Sequence, residues 1–296
     1  MLVSCLLLGA TPPASGQMDT VRVWILANSA PAHVAVRSAE APLRIQLRGK
    51  SRQTLSVENG EAVTVRPDGQ NVSLQGPGSR ASVRAAEFAN GADHTLTLEA
   101  AGVTRRYRGR LVVHIVPEGG RLQVVNHVAM ADYLASVVPS EYPFEDIEGT
   151  KAQAVIARTY VIRAAQSSDG RYDVTDNTAS QAYRGVDQET DAGRTAVRAT
   201  RGEILTYQDR AIEAVYSASG GGHTADNENV WDANPVPYLR GKPDPYDDSS
   251  PHQDWRFAIS RSVLHEMLSD AYGFDVRNIR FDDRTGGYRQ VLVRIF

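Results

Sequence analysis

Between Val21 and Val128, apolar side chains return at every second position in short runs separated by Gly, Pro, Asn and Asp. The runs are Val21 to Leu26, Leu43-Arg44-Ile45-Gln46-Leu47, Val63 to Val65, Val72 to Leu74, Leu96 to Leu98, Leu111 to Val116 and Leu122 to Val128. Such alternation, rich in β-branched residues and punctuated by turn formers, predicts antiparallel strands. Arg66-Pro67-Asp68-Gly69 and Pro117-Glu118-Gly119-Gly120 read as turns, the second between two strong strands.

Near Ala129 the period changes. Tyr133, Leu134, Val137 and Val138 make one helical stripe, which Pro139 is expected to end. A longer helix follows from about Asp146 to Gln166. Its middle, Ala152 to Ala157, is small or apolar nearly all round, so it is expected as a buried central helix. Lys151, Gln153 and Arg158 sit on or beside that segment. An unpaired charge there costs several kcal/mol, so they should meet carboxylates, backbone groups or a ligand. A third helix is expected over Gln188 to Thr200, stopped by Gly202. Then come a hairpin of Glu203 to Tyr207 with Ala211 to Ser217, an irregular stretch from Asn234 to Pro251, a helix near Val263 to Ala271 and a strand at Val291 to Ile295. The fold class is α+β: a leader over 1–20, a β-rich N-terminal region over 21–115, and a mixed α/β core over 116–296 with a buried central helix.

Composition narrows the function classes. The 296 residues suffice for one large or two ordinary domains. The 32 Lys and Arg against 35 Asp and Glu leave a net charge of −3, which gives no electrostatic reason to expect nucleic acid. Cys5 is the single cysteine, which excludes an intrachain disulfide and multi-Cys zinc frameworks. The apolar Leu2 to Leu8, followed by small residues, reads as the tail of an export signal, although no basic residue precedes Arg22. Leu2-Val3-Ser4-Cys5 also looks like a lipobox. Export to the cell envelope, with or without a lipid anchor on Cys5, is therefore expected. No later apolar run approaches the ~20 residues of a membrane-spanning helix.

Three segments offer chemistry. Glu141, in Val138-Pro139-Ser140-Glu141-Tyr142-Pro143, lies between two prolines that stiffen the backbone before the apolar helix. A carboxyl held there can be shifted upward by desolvation toward the range a general acid needs. A plain turn carboxylate near a helix N-terminus is the alternative. Gly220-Gly221-Gly222-His223 allows close backbone approach to an anion or a sugar, but lacks the Gly-Lys-Ser/Thr of a P-loop. Ser217 or Ser219 with His223 is weak as a nucleophile pair, and His223, Asp226 and Glu228 read more readily as a polar turn than as metal ligands. Tyr172 to Tyr183, polar with an aromatic at each end, suits sugar hydroxyls and faces, or is an ordinary polar loop.

The ordered motifs resemble the SpoIID/LytB family of sporulation proteins and amidase enhancers. They include Tyr107-Arg108-Gly109, Val124-Val125-Asn126, Asp132-Tyr133-Leu134, Pro139-Ser140-Glu141, Lys151-Ala152-Gln153-Ala154-Val155-Ile156-Ala157-Arg158-Thr159-Tyr160, Thr175-Asp176, Ser180-Gln181-Ala182-Tyr183 and Tyr216-Ser217-Ala218-Ser219-Gly220-Gly221. Ala199 to Gly202, Asn229-Val230-Trp231 and Pro237-Tyr238-Leu239 continue the match. The resemblance implies a lytic transglycosylase acting on peptidoglycan glycan strands, with Glu141 as the single acid/base and residues 116–296 as the catalytic core. It makes Lys151, Gln153, Arg158, Tyr160, Ser180, Gln181, Tyr183, Ser217, Ser219, Gly220 and Gly221 candidates for substrate binding. A noncatalytic wall-binding activator of an amidase is the alternative that the same family implies. Some members hold zinc with a Cys and a His flanking Thr-Asp. Val174 and Ala179 stand in those places, so neither metal nor cofactor is expected. Tyr142 stands where Met is common, at a position that tolerates the change.

Overall fold

The computed structural model describes residues 18–29, 31–49, 52–91, 94–116, 119–144, 146–231, 233–247, 257–276, 278–283 and 291–295. The expected leader, with Cys5 and the lipobox, lies outside them, as do Pro117 and Glu118 of the second turn and Pro251. The chain forms two compact units, Met1–Val215 and Tyr216–Phe296.

The first unit begins with β1 (Thr20–Ile25), β2 (Val34–Ser38), β3 (Leu43–Arg48), β4 (Arg52–Val57), β5 (Ala62–Asp68) and β6 (Asn71–Gly76). It continues with β7 (Ser79–Val83), β8 (Ala85–Ala89), β9 (Leu96–Ala100), β10 (Val103–Tyr107), β11 (Arg110–Val116) and β12 (Arg121–Ala129). Helices α1 (Met130–Glu141) and α2 (Ile147–Gln166), strand β13 (Val174–Thr175), a single 3-10 turn at Val186–Gln188 and helix α3 (Asp191–Ala199) follow, then β14 (Thr206–Tyr207) and β15 (Arg210–Ala211).

Seven strands pair in the order β13-β1-β12-β11-β8-β3-β4, and six in the order β10-β9-β2-β5-β6-β7. Strand β3 alternates buried and exposed along its whole length, the signature of a sheet with one face in the core. Strand β12 departs from alternation because it meets β5 of the other sheet and also α1. Val21, Val23, Val34, Val36, Leu43, Phe88, Leu111 and Val124 join Leu134, Val137 and Ala154 in one continuous core. The change of period near Ala129 is where β12 gives way to α1, and the compact unit runs through it, and through residue 115, to Val215.

All seven expected strands are present, and β2, β4, β7, β8 and β10 add to them. Strand β8 hid because Ala85-Ala86-Glu87-Phe88-Ala89 lacks β-branched residues, and Glu87 is buried between Arg48 and Arg110 with both guanidiniums paired to it. The hairpin after Gly202 is shorter than expected, only β14 and β15, closed by Gln208 and Asp209 with φ of 49° and 60°.

Two helix expectations need correction. Pro139 does not end α1, which runs on to Glu141. Pro139 removes one donor within the last turn, a small loss that Ser140 Oγ to Ser136 O (2.8 Å) and Tyr142 N to Val138 O (2.8 Å) offset. Its ring packs beside Gly193 of α3, where a Cβ would stand 3.3 Å from Pro139 Cδ. Helix α2 is buried on one side rather than all round: Ala154, Ala157, Arg158, Val161 and Ile162 face inward and Ala152 is exposed. Helices α1, α2 and α3 pack against one another.

The second unit, by itself, holds the glycine loop, α4 (Asn227–Trp231), α5 (Arg261–Tyr272), and the hairpin of β16 (Ile279–Asp283) and β17 (Val291–Ile295). Ser260 caps α5 through Val263 N (3.2 Å), and Gly273, with φ of 72°, ends it.

Candidate active site

Glu141 is the last residue of α1 and is half-buried. Its Oε1 accepts the Ala182 N–H at 2.6 Å. It has no cationic partner among the described residues, and Oε2 accepts no hydrogen bond among them. One oxygen is therefore fixed and the other available.

The fixing depends on the segment around Ala182, whose position is set by buried polar groups. Gln181, 0% exposed, accepts Tyr133 Oη of α1 on Oε1 at 2.8 Å. Tyr183, 1% exposed, donates to Asn126 Oδ1 of β12 at 2.6 Å, and Asn126 Nδ2 donates to the Arg108 and Arg110 carbonyls. The Tyr183 ring stacks on Tyr133 at 5.3 Å and leans on Tyr107 at 5.8 Å. Complete burial holds the Tyr183 phenol neutral, its pKa well above the ordinary value. Arg184 N donates to Ser136 Oγ (3.2 Å), and Gly185, with φ of 78°, sits so close to the Arg106 carbonyl that a Cβ would collide with it. Gln181 and Tyr183, expected to grip sugar, have no surface with which to do so. They hold the Ala182 N–H in place.

The preceding loop is pinned as well. Strand β13 pairs in parallel with β1, and Asp176 accepts Leu26 N (2.9 Å), Ala27 N (3.2 Å) and Arg105 (3.2 Å). Ser180 Oγ accepts from Thr175 N and Thr175 Oγ1, both at 3.1 Å, so Ser180 serves the loop's own shape.

On the other side of Glu141, Tyr142 donates to Asp146 Oδ2 at 2.6 Å, while Asp146 caps α2 through Gly149 N. A Cβ on Gly149 would collide with the Tyr142 ring. The ring lies edge to Phe144 at 4.9 Å, and Phe144 is 64% exposed. This aromatic pair beside Glu141 was hidden in sequence, although Tyr142 in place of Met was a visible signal.

Along α2, Lys151 pairs with Glu148 at 2.7 Å. Gln153 is 7% exposed, and its Nε2 has no hydrogen-bond partner among the described residues. Arg158 is 4% exposed and donates to Val197 O (3.3 Å), Glu203 O (3.0 Å) and Thr200 Oγ1 (3.4 Å) at the C-terminal end of α3. Burial draws its pKa below the ordinary guanidinium value. Tyr160 packs its partly buried ring on the core.

In the second unit the glycine loop does not stand open. Asp247 Oδ2 accepts Ser219 Oγ at 2.8 Å and Gly222 N at 3.0 Å, and these bonds hold its pKa below the ordinary carboxylate value. The Gly222 N–H expected to meet a ligand meets this carboxylate instead. Gly220 and Gly221 remain exposed, and the exposed Ser217 donates to Ser219 O (3.4 Å). His223 Nδ1 lies 2.6 Å from Thr224 O, while Asp226 and Glu228 pair with Arg240, which draws the Glu228 pKa down to about 2.

Residues 118–207, which carry α1, Glu141, α2, the Ala182 segment and α3, match the SpoIID profile, described as stage II sporulation protein. The chain thus carries a SpoIID segment. It is also similar to named proteins. The chain is 37% identical over 138 residues to the amidase enhancer of Bacillus subtilis, covering 46% of this chain and 18% of that one. It is 33% identical over 148 residues to stage II sporulation protein D of the same organism, covering 44% and 42%. An uncharacterized protein of Brachyspira hyodysenteriae is 34% identical over 167 residues, covering 55% and 44%. The matched segments span less than half the length of each of these relatives. Among the described residues no helix is long and apolar enough to cross a membrane.

Proposed function

We propose that this protein is a lytic transglycosylase that cleaves the bond between N-acetylmuramic acid and N-acetylglucosamine in peptidoglycan. The observation that carries the reading is Glu141, with one oxygen fixed by the Ala182 N–H and the other unoccupied, inside the SpoIID segment. The free oxygen of the carboxyl protonates the glycosidic oxygen as the muramyl C1–O bond breaks. The carboxylate so formed takes the proton of the muramyl C6 hydroxyl, whose oxygen closes on C1 to give the 1,6-anhydro sugar. A second carboxylate, which most glycosidases need to activate water or attack C1, has no role in this chemistry.

The exposed Phe144 ring beside Tyr142 offers a face to a pyranose. Ser217, Ser219, Gly220 and Gly221 enter this reading only as further contacts along a glycan strand. Such a substrate places the protein in the cell envelope, which agrees with the export signal expected over the first residues.

The test is digestion of purified glycan strands by wild type and Glu141→Gln, with anhydro-muropeptides measured by mass spectrometry. Equal, background release from both defeats the proposal. The similarity to an amidase enhancer favours a second reading, noncatalytic stimulation of a wall amidase. Stimulation that survives Glu141→Gln, in a protein that releases no anhydro product, selects it.

A further inference from the structure

The link from α1 to α2 holds two aromatic rings in an arrangement that the helices themselves do not require. Tyr142 is fixed from three sides. Its Oη donates to Asp146 Oδ2 at 2.6 Å, its ring lies against Gly149, and Phe144 meets it edge-on with ring centroids 4.9 Å apart. Asp146 also accepts the Gly149 N–H of α2 at 2.6 Å, so the phenol is anchored to the start of that helix. Gly149 lies within the helix and is a glycine for reasons of space, since a Cβ there would collide with Tyr142 Oη and Cζ.

Phe144 stands beside this fixed ring 64% exposed, and Ile147, in the first turn of α2, is 39% exposed. Water is an unfavourable surrounding for an apolar ring, so such exposure beside a candidate acid asks for an occupant. An aromatic side chain offers about 150–250 Å² of surface. Even with Ile147 added, the patch falls well short of the roughly 800 Å² that each partner contributes to a stable protein interface. It suits the apolar face of a single sugar ring. Phe144 lies three residues beyond Glu141, a chain span of at most about 11 Å. A glycan with its reacting bond at Glu141 is therefore within reach of the Phe144 ring through a neighbouring sugar.

We propose that Phe144, braced by Tyr142, is a stacking platform for a sugar outside the pair whose bond is cleaved, and that it makes the protein prefer long glycan strands to short ones. The identity of the sugar rests on the function proposed above. What Phe144 adds is a grip away from the reacting bond. Its contact is the same before and during bond breaking, so it acts on strand binding. Tyr142 and Gly149 act through Phe144 as positioning residues.

Binding is measured by calorimetry on the full chain carrying Glu141→Gln, which leaves the glycan uncut, with a disaccharide and an octasaccharide of the peptide-free strand as probes. Adding Phe144→Ala should weaken octasaccharide binding about tenfold, as the loss of a covered aromatic face implies, and leave disaccharide binding unchanged. Gly149→Ala, which favours the helix while displacing the Tyr142 ring, should also weaken octasaccharide binding severalfold. Equal losses for both probes, no loss for either, or no octasaccharide binding at millimolar concentration overturns the platform. So does a loss of amidase stimulation in Phe144→Ala at unchanged glycan affinity, which gives the ring to a protein partner. Unchanged octasaccharide affinity in Gly149→Ala overturns the bracing. Release of anhydro product by the chain with Glu141 intact is read in parallel. Cleavage with binding independent of Phe144 sinks the platform alone, and length-dependent binding through Phe144 without cleavage sinks the transglycosylase alone.

Discussion

Glu141 and Asp247 are both carboxylates tied to backbone N–H groups, yet the two regions leave them with opposite capacities. Asp247 Oδ2 takes a hydroxyl and a glycine amide, and further loop amides favour its ionised form. Hydrogen bonds to the charged form hold a carboxylate ionised, so Asp247 is a strut for the glycine loop and a poor proton donor. Glu141 takes a single N–H on one oxygen. That bond orients the side chain without exhausting it, and the second oxygen remains for a substrate. The number of amides directed at a carboxylate, rather than its presence in a suggestive motif, separates a structural acid from a chemical one.

The comparison breaks most visibly at Glu141. Replacing it by Gln keeps the shape and the Ala182 contact but removes the proton. Anhydro-product release should fall by about 10²–10⁴-fold, the usual weight of a general acid/base. A loss of less than a few-fold would place the chemistry elsewhere. Next in size is Tyr183→Phe, which leaves the buried Asn126 Oδ1 without its donor. Urea denaturation should show a loss of about 1–3 kcal/mol. If the loop positions Glu141, kcat should drop while KM stays near its wild-type value. An unchanged kcat in a folded variant would free Glu141 from that loop.

Asp247→Asn should speed hydrogen exchange of the Gly222 amide by roughly a few-fold, because a neutral acceptor is weaker than a charged one. Unchanged exchange would make Asp247 no strut. Smaller still is the effect of His127, half-buried in β12 beside Arg110, whose pKa is drawn down to about 4 by burial and then by the nearby cation. Unfolding returns it toward 6.5, so between these values the unfolded chain binds the extra proton and stability falls as the pH drops. His127→Gln should flatten that acid limb in urea titrations at pH 4 to 7. An identical slope in both proteins would remove His127 from the acid response.

Local patterns carried much of the fold. Alternation located strands such as β3 and β11 because one face of each is buried, and the stripe of Tyr133, Leu134, Val137 and Val138 located α1. Alternation did not reveal β8, whose buried Glu87 is tolerated only because Arg48 and Arg110 arrive from neighbouring strands. At the site, the Pro-Ser-Glu motif led to Glu141, but the polar, aromatic character of Gln181 and Tyr183 pointed to sugar binding. Their partners, Tyr133 and Asn126, are 48 and 57 residues away in the chain, and that separation hid the positioning role.

The sequence by itself determined the α+β succession, the SpoIID segment and the position of the candidate acid, because periodicity and ordered motifs are properties of neighbouring residues. Only the tertiary structure decided which polar groups are struts and which remain free. Whether a carboxylate or guanidinium is satisfied depends on what distant segments bring to it. The chain order contains no distances of that kind, and on them rest the single amide bond of Glu141 and the occupation of Asp247.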